Sequence, residues 1–413
     1  MYGDFPRSRK QLYDIGRGKR HIATEHDVGD LLALADEVQD FVWLHAHVPS
    51  EVLVLGDAEM KIEMREAAKT SPLSVDGTFN FGQFEVTPFT FRHPHLERKS
   101  KNIKNHWVNA AMLGPTIIQD NKAEKTYRSG MRCVAEQCEL SVAPVNILTD
   151  GESGLVNSLD VFSKGDLFRC MRHFRGNCSD YLKSEGINKK GNQDQLLDFV
   201  FGHDGLVQCA DENELTSLLL RLRPEIESTE KRCRSEEKCK DKIDNLRKDK
   251  DVTENDKIKE KKTTGKKEKS FYQYLQEHFS VLRKCTKEMR RKALSTDDEN
   301  PPEITTNQSE SVNNIVQCRK TSYGLKKKQD VSKIFFASEI WRKTKDKELI
   351  EVRKALYGDS NELRLTRESQ YLKVEPETFF NWTKIQQEDY VSKFRQLSIE
   401  DVQRKQLIQL RYF

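Results

Sequence analysis

The stretch Ser74-Val75-Asp76-Gly77-Thr78-Phe79 decides how this chain reads. A short apolar run from Pro72 to Val75 delivers an aspartate at its end, and a glycine follows. The pattern returns at Val145-Asn146-Ile147-Leu148-Thr149-Asp150-Gly151-Glu152. Two strand-like runs thus each end in Asp-Gly. The interval between residues 76 and 150 holds enough chain for the further strands and a helix of one α/β layer. Asp-Gly is also a strong turn signal, and either aspartate alone reads equally well as the closure of a hairpin. The repetition of the pattern, with a third acid downstream, favours a shared site.

Around these two runs the spacing predicts an α/β unit. Leu73 to Phe79 reads as a first strand, and the alternation from Phe84 to Arg92 as a half-exposed second. Trp107 to Ile118 reads as a third, and Gly114-Pro115 near its end argues for an edge position. Ala123 to Gln137 is a helix with Tyr127, Met131 and Val134 at helical spacing. Val145 to Thr149 is the fourth strand, Ser153 to Phe162 a short helix, and Asp166 to His173 a fifth strand or strand end. The order suits a mixed five-stranded sheet flanked by helices.

Residues 1–70 read as a mostly helical region, with amphipathic segments starting at Asp27 and Ala58 and a short strand at Glu51 to Asp57. Residues 71–190 form the first part of the core. After Gly186 strand signals stop, and residues 191–299 read as a helical insertion. Within it Leu215, Leu218, Leu219 and Leu222 form a stripe that belongs to a core. Residues 228–270 are so rich in Lys, Arg, Glu and Asp that they read as a mobile or loosely helical charged segment. Phe271, Leu275, Phe279 and Leu282 make one face of a returning helix, Phe271 to Leu294. Residues 300–360 then carry a third acid and the rest of the core, and residues 361–413 are a C-terminal extension.

Bulk properties narrow the partners. Among 413 residues, apolar types make 36% and charged types 33%, low in apolar content for one compact globule. The formal net charge of +4 gives no global field toward nucleic acid. Lys257 to Lys269 is locally basic and reads either as a phosphate or nuclear-address segment or as a solvated linker. No apolar run reaches the length of a membrane span, and the N-terminus lacks the apolar stretch of a signal peptide. The nine cysteines are scattered without a Cys-x-x-Cys pair, which points to reduced thiols in the cytosol or nucleus.

The third acid lies in Thr305-Thr306-Asn307-Gln308-Ser309-Glu310-Ser311-Val312-Asn313-Asn314. Asn307 stands three residues before Glu310, ahead of an apolar pattern through Val312, Ile315 and Val316. This is the signature of a helix N-terminus, where Glu310 could serve as a cap. Packed against the open end of a sheet, the same carboxylate would face Asp76 and Asp150. Three acids that close together are costly unless cations neutralise them. Hard divalent ions with oxygen ligands do so, and two of them about 3.5–4 Å apart can clamp both oxygens of a phosphodiester exchange.

At these sites the chain resembles the Mutator-like (MULE) transposases. The match is carried by Val75-Asp76-Gly77-Thr78-Phe79, Leu148-Thr149-Asp150-Gly151-Glu152, Cys170-Met171-Arg172-His173 and Thr306-Asn307-Gln308-Ser309-Glu310-Ser311-Val312-Asn313, and it extends over about residues 50–360. The resemblance implies an RNase H-like core with a DDE triad: the first acid on the first strand, the second after the fourth, the third on a helix after an all-helical insertion. By that resemblance Asp76, Asp150 and Glu310 would be catalytic and would hold two Mg²⁺ or Mn²⁺ ions. Water would first cut a DNA strand, and the freed 3′-hydroxyl would then attack target DNA. Cys170 and His173 match the family's Cys-x-x-His pair, a candidate zinc pair for which Cys178 is the nearest third ligand; ordinary packing is the other reading. DNA is the implied partner, a homodimer a further expectation, and the nucleus the implied location. Family members usually carry an upstream zinc-chelating DNA-binding domain, for which this chain starts too close to its core. The alternative is therefore a domesticated, transposase-derived DNA- or protein-binding factor that keeps the fold without the activity.

Overall fold

The computed structural model describes residues 41–46, 50–76, 79–81, 84–99, 107–162, 164–248, 269–294, 296–305, 333–358 and 360–411. The expected segment at Asp27 to Ala35 and the third acid, Glu310, lie outside them.

A mixed sheet organises the molecule. Its strands are β1 (Val42–Ala46), β2 (Val52–Leu55), β3 (Leu73–Val75), β4 (Phe79–Phe81), β5 (Phe84–Lys99), β6 (Trp107–Gln119), β7 (Val145–Thr149), β8 (Lys164–Arg169) and β9 (Leu363–Leu365). The order is β1-β2-β6-β5-β3-β7-β8, with β4 and β9 also paired to β5. Pairing is antiparallel from β1 through β5 to β3, and parallel from β3 to β7 to β8. The sheet is thus α/β and mixed as expected. It is wider than five strands, because a hairpin from the N-terminal region and a strand from the C-terminal region both join it. Val52–Leu55 is the short strand expected at Glu51 to Asp57, and Val42–Ala46 adds a second strand where the sequence reads as mostly helical.

The third strand is not at an edge. β6 lies between β2 and β5, with Gly114-Pro115 inside it. Proline is tolerated there because the ladder is broken: β2 ends opposite Thr116, and the pairing with β5 shifts between Pro88 and Thr90. β5 likewise runs past Arg92 to Lys99 through a second irregularity between Arg92 and Glu97.

Helices α1 (Met60–Ala68) and α2 (Glu124–Gln137) flank the sheet, and α3 (Ser153–Ser158) follows β7. Tyr127, Met131 and Val134 of α2 are buried, as their spacing predicts. The main core runs from Val52 to Phe162 and takes in Trp341, Val352 and Leu356 of α10 (Lys333–Tyr357) and Val391 and Phe394 of α12 (Lys384–Arg395). The C-terminal region is therefore built into the core rather than appended to it. Between α10 and α12 stands α11 (Pro376–Asn381), and α13 (Ile399–Arg411) ends the described chain.

A buried charge cluster fastens α12 to α1 and the turn that precedes it. Arg395 bonds both Asp57 oxygens at 2.8 and 3.0 Å and both Glu63 oxygens at 2.8 and 2.7 Å, and Glu59 at 3.3 Å. Lys345 joins Glu348 at 2.8 Å and lies 3.9 Å from Glu63. Burial alone would raise the Glu63 carboxyl, but Arg395 and Lys345 hold it well below the usual range.

The helical insertion leaves the sheet at the end of β8. It comprises α4 (Met171–Ser184), α5 (Lys190–Phe201), α6 (Glu212–Lys248), α7 (Phe271–Glu277), α8 (Phe279–Arg283) and α9 (Lys287–Leu294). Helices α4 to α8 share their own core, from Met171 to Cys285, which buries Leu215, Leu219, Phe271, Leu275 and Leu282. The stripe on α6 is core, as expected. The charged segment is helical as far as Lys248, and the single helix expected from Phe271 to Leu294 is three. A small cluster of Leu148, Phe168, Cys170, Ala293 and Ile304 joins the insertion to the sheet.

Candidate functional site

Two of the three expected acids close neighbouring parallel strands. Val75 of β3 pairs with Thr149 of β7, so Asp76 and Asp150 are the next residue on each. Thr149 in turn pairs with Arg169 of β8, which puts Cys170 third in the row. The carboxyl ends of parallel strands are where α/β sheets open a crevice for ligands.

Each acid is held differently. Asp76 is fully buried at the end of a three-residue strand between β5 and β7. Asp150 is half-buried and its Oδ1 accepts from the Glu152 N–H at 3.1 Å and the Thr149 hydroxyl at 3.3 Å. Those bonds turn the chain after β7 through Gly151, whose φ of 85° is in the left-handed region. A Cβ at residue 151 would meet the Arg169 guanidinium, the movable end of a long side chain, so it is the φ that calls for glycine here.

Cations surround the pair. A hydrogen bond with Cys170 pushes the His173 imidazole, on the first turn of α4, up to about 9 against the pull of burial; the Asp76 and Asp150 charges add to it. Burial pulls the Arg169 guanidinium down, and Asp150 opposes that pull. Burial also lowers the half-buried Lys284 ammonium, with Arg169 and Arg283 acting in the same direction. Lys122 binds Glu152 at 3.2 Å and lies 3.7 Å from Glu85.

The remaining expected residues divide. The main chain returns to the site at Ile304, whose carbonyl accepts from the Met171 N–H at 3.0 Å. Glu310 follows six residues later, a reach of at most about 20 Å. Cys178 lies inside the core of the insertion, where burial and Cys285 push its thiol up. Among the described residues, no three His, Cys, Asp or Glu side chains gather as a metal-binding group. The Cys170–His173 pair thus gains no third zinc ligand there.

Arg169 and Lys284 were not singled out by sequence reasoning, and Gly151 was read only as the turn signal after Asp150. The signal for Arg169 was a charge at the end of the run Leu167-Phe168, immediately before Cys170. Nothing in the sequence places Lys284 here, since it arrives from the insertion.

Comparison with models of protein families, with curated proteins and with solved structures found no match to this chain. Among the described residues no helix is long and apolar enough to cross a membrane.

Proposed function

We propose that the chain is a MULE-type DDE transposase domain that cleaves and joins DNA strands. The observation that carries this reading is the in-register closure of two adjacent parallel strands by Asp76 and Asp150. With β3 counted first and the three-residue β4, which lies off the main path of the sheet, left out of the count, β5, β6, β7 and β8 follow as second to fifth. Asp76 then closes the first strand and Asp150 the fourth, the arrangement that an RNase H-like core with a DDE triad requires. An all-helical insertion follows the fifth strand and ends shortly before Glu310. All three motifs come in the right order.

The donor set suits a hard divalent cation. Two aspartates at adjacent strand ends, one fully buried, repel each other and are desolvated, and a cation would relieve both costs. Asp76, Asp150 and Glu310 would hold Mg²⁺ or Mn²⁺, which when bound supplies charge neutralisation and an activated oxygen. The protein side of the chemistry lies in the fixed strand ends. Hydrogen bonds from Thr149 and Glu152 both go to Oδ1 of Asp150, and the His173 imidazolium balances charge on the acids.

A purified full-length chain incubated with labelled DNA should nick or join strands only with Mg²⁺ or Mn²⁺. Asp76→Asn, Asp150→Asn and Glu310→Gln should each lower the rate by at least about a hundredfold. Equal rates in wild type and variants would remove the catalytic reading.

A second reading draws on the complete burial of Asp76. It makes the chain a transposase-derived DNA-binding factor without catalysis. DNA association would then be indifferent to metal and to Asp76→Asn.

A further inference from the structure

The end of β8 carries a cation for which the acids alone give no use. Arg169 lies opposite Thr149 across the β7–β8 pair, and its guanidinium fills the place that a side chain at residue 151 would take. The turn after β7 is shaped around this arginine. The Asp150 carboxylate, the Cys170 and Cys285 sulfurs and the Tyr274 ring are near enough to feel its charge. Lys284, arriving from the insertion, is near enough to feel it as well.

Two of the basic groups that feel the Asp150 charge are used differently. Lys122 is committed to Glu152 and Glu85. Arg169 keeps a buried Nε that finds no hydrogen-bond acceptor among the described residues. A buried donor in that state destabilises the fold until an acceptor arrives. The planar fork of a guanidinium matches two oxygens of a phosphate, and a second cation within reach of its charge favours an anion further.

We propose that Arg169, backed by Lys284, binds a phosphate of the DNA backbone beside Asp150. The assignment rests on the reading of the chain as a DNA-processing domain, and adds to it a substrate contact outside the three acids. Gly151 leaves the guanidinium its present place, which a side chain at that position would have to displace.

The test is binding of a fluorescent 20-base-pair DNA duplex by the full chain, read as anisotropy over a salt series (the length is on the order of two helical turns). Arg169→Gln should weaken binding about tenfold and flatten the slope of log affinity against log salt by about 0.9, the value for one lost phosphate contact. Arg169→Lys should keep the slope and lose part of the affinity, since it keeps the charge but not the fork. Gly151→Ala should lose affinity with all charges present. Thermal unfolding checks each variant, and if Gly151→Ala does not fold, the two Arg169 variants decide. Wild-type affinity and slope in Arg169→Gln would overturn the proposal, as would absence of DNA binding by wild type. The outcome is separable from the catalytic reading. Cleavage lost in Asp76→Asn with binding unchanged in Arg169→Gln would sink only the phosphate contact. Binding lost in Arg169→Gln without any metal-dependent cleavage would sink only the catalysis.

Discussion

Replacing Arg395 by Met should unfold the joint between the C-terminal region and the sheet. Arg395 is 5% exposed and sits among Asp57 at 6%, Glu63 at 2% and the more open Glu59. Methionine keeps most of the apolar stem and removes the charge. Asp57 then loses its guanidinium partner, and Glu63 keeps only Lys345, 3.9 Å away, and His93 at 3.7 Å. Removing one side of a buried ion pair costs about 3–5 kcal/mol, chiefly because a buried charge is left unpaired. An exposed pair would cost at most about 1 kcal/mol. Urea denaturation followed by circular dichroism separates the two, provided the dependence on urea keeps the same slope. Adding Glu63→Gln to Arg395→Met should recover part of the loss, since it removes one stranded carboxylate. A loss below about 1 kcal/mol in the single variant, or no recovery in the double, would refute the reasoning. A fragment ending at residue 360 should behave at least as badly, for it lacks both Arg395 and Phe394.

Two further expectations concern stability. His95 is 4% exposed, and burial, followed by the charge of His93, depresses its imidazole from 6.5 to about 4. Its contribution is thus fully present above about pH 6.5 and is lost as pH falls toward 4; at 1.36 kcal/mol per pH unit the loss is on the order of 3 kcal/mol. Urea midpoints measured between pH 7.5 and 4.5 should show that decline, and His95→Gln should flatten it (endpoints are roughly one unit beyond and just above the titration range). Gly130→Ala would bring a Cβ to 2.7 and 2.9 Å from Cγ2 and Cδ1 of Ile117, where α2 rests on β6. Overpacking at about 1–3 kcal/mol should outweigh the helix-propensity gain of about 1 kcal/mol, a net loss that thermal melts would show and whose absence would refute the close contact.

What the sequence disclosed depended on where each side chain's partners come from. β7 and α2 were legible because their apolar spacing is local: Val145 to Thr149 in one case, Tyr127, Met131 and Val134 in the other. β5 was read short because His93-Pro94-His95 breaks the alternation, and the structure spends that break on an irregular register. β9 is three residues long and exists only because Leu96 to Arg98 offers it a partner. The charged part of α6 was read as unable to pack. Its inner face instead uses carboxylates as caps: Glu230 accepts from the Phe271 N–H at 2.8 Å, and Glu237 from the Lys189 N–H at 2.7 Å. Acidic side chains at helix starts are favoured by the aligned peptide dipoles, a role that composition conceals. At the site, Asp76 and Asp150 were found because each ends its own apolar run. Arg169 was missed because its meaning lies in Gly151, a residue on another strand's turn.

The hydrogen bond from Met171 to Ile304 ties the start of the helical insertion to its finish. A detour of more than a hundred residues therefore begins and ends at nearly one point in space. A lobe attached in this way is a cassette. Relatives of this sheet could enlarge, trim or exchange it without moving either aspartate, and an engineer could replace it with a brief linker and ask what the sheet does alone.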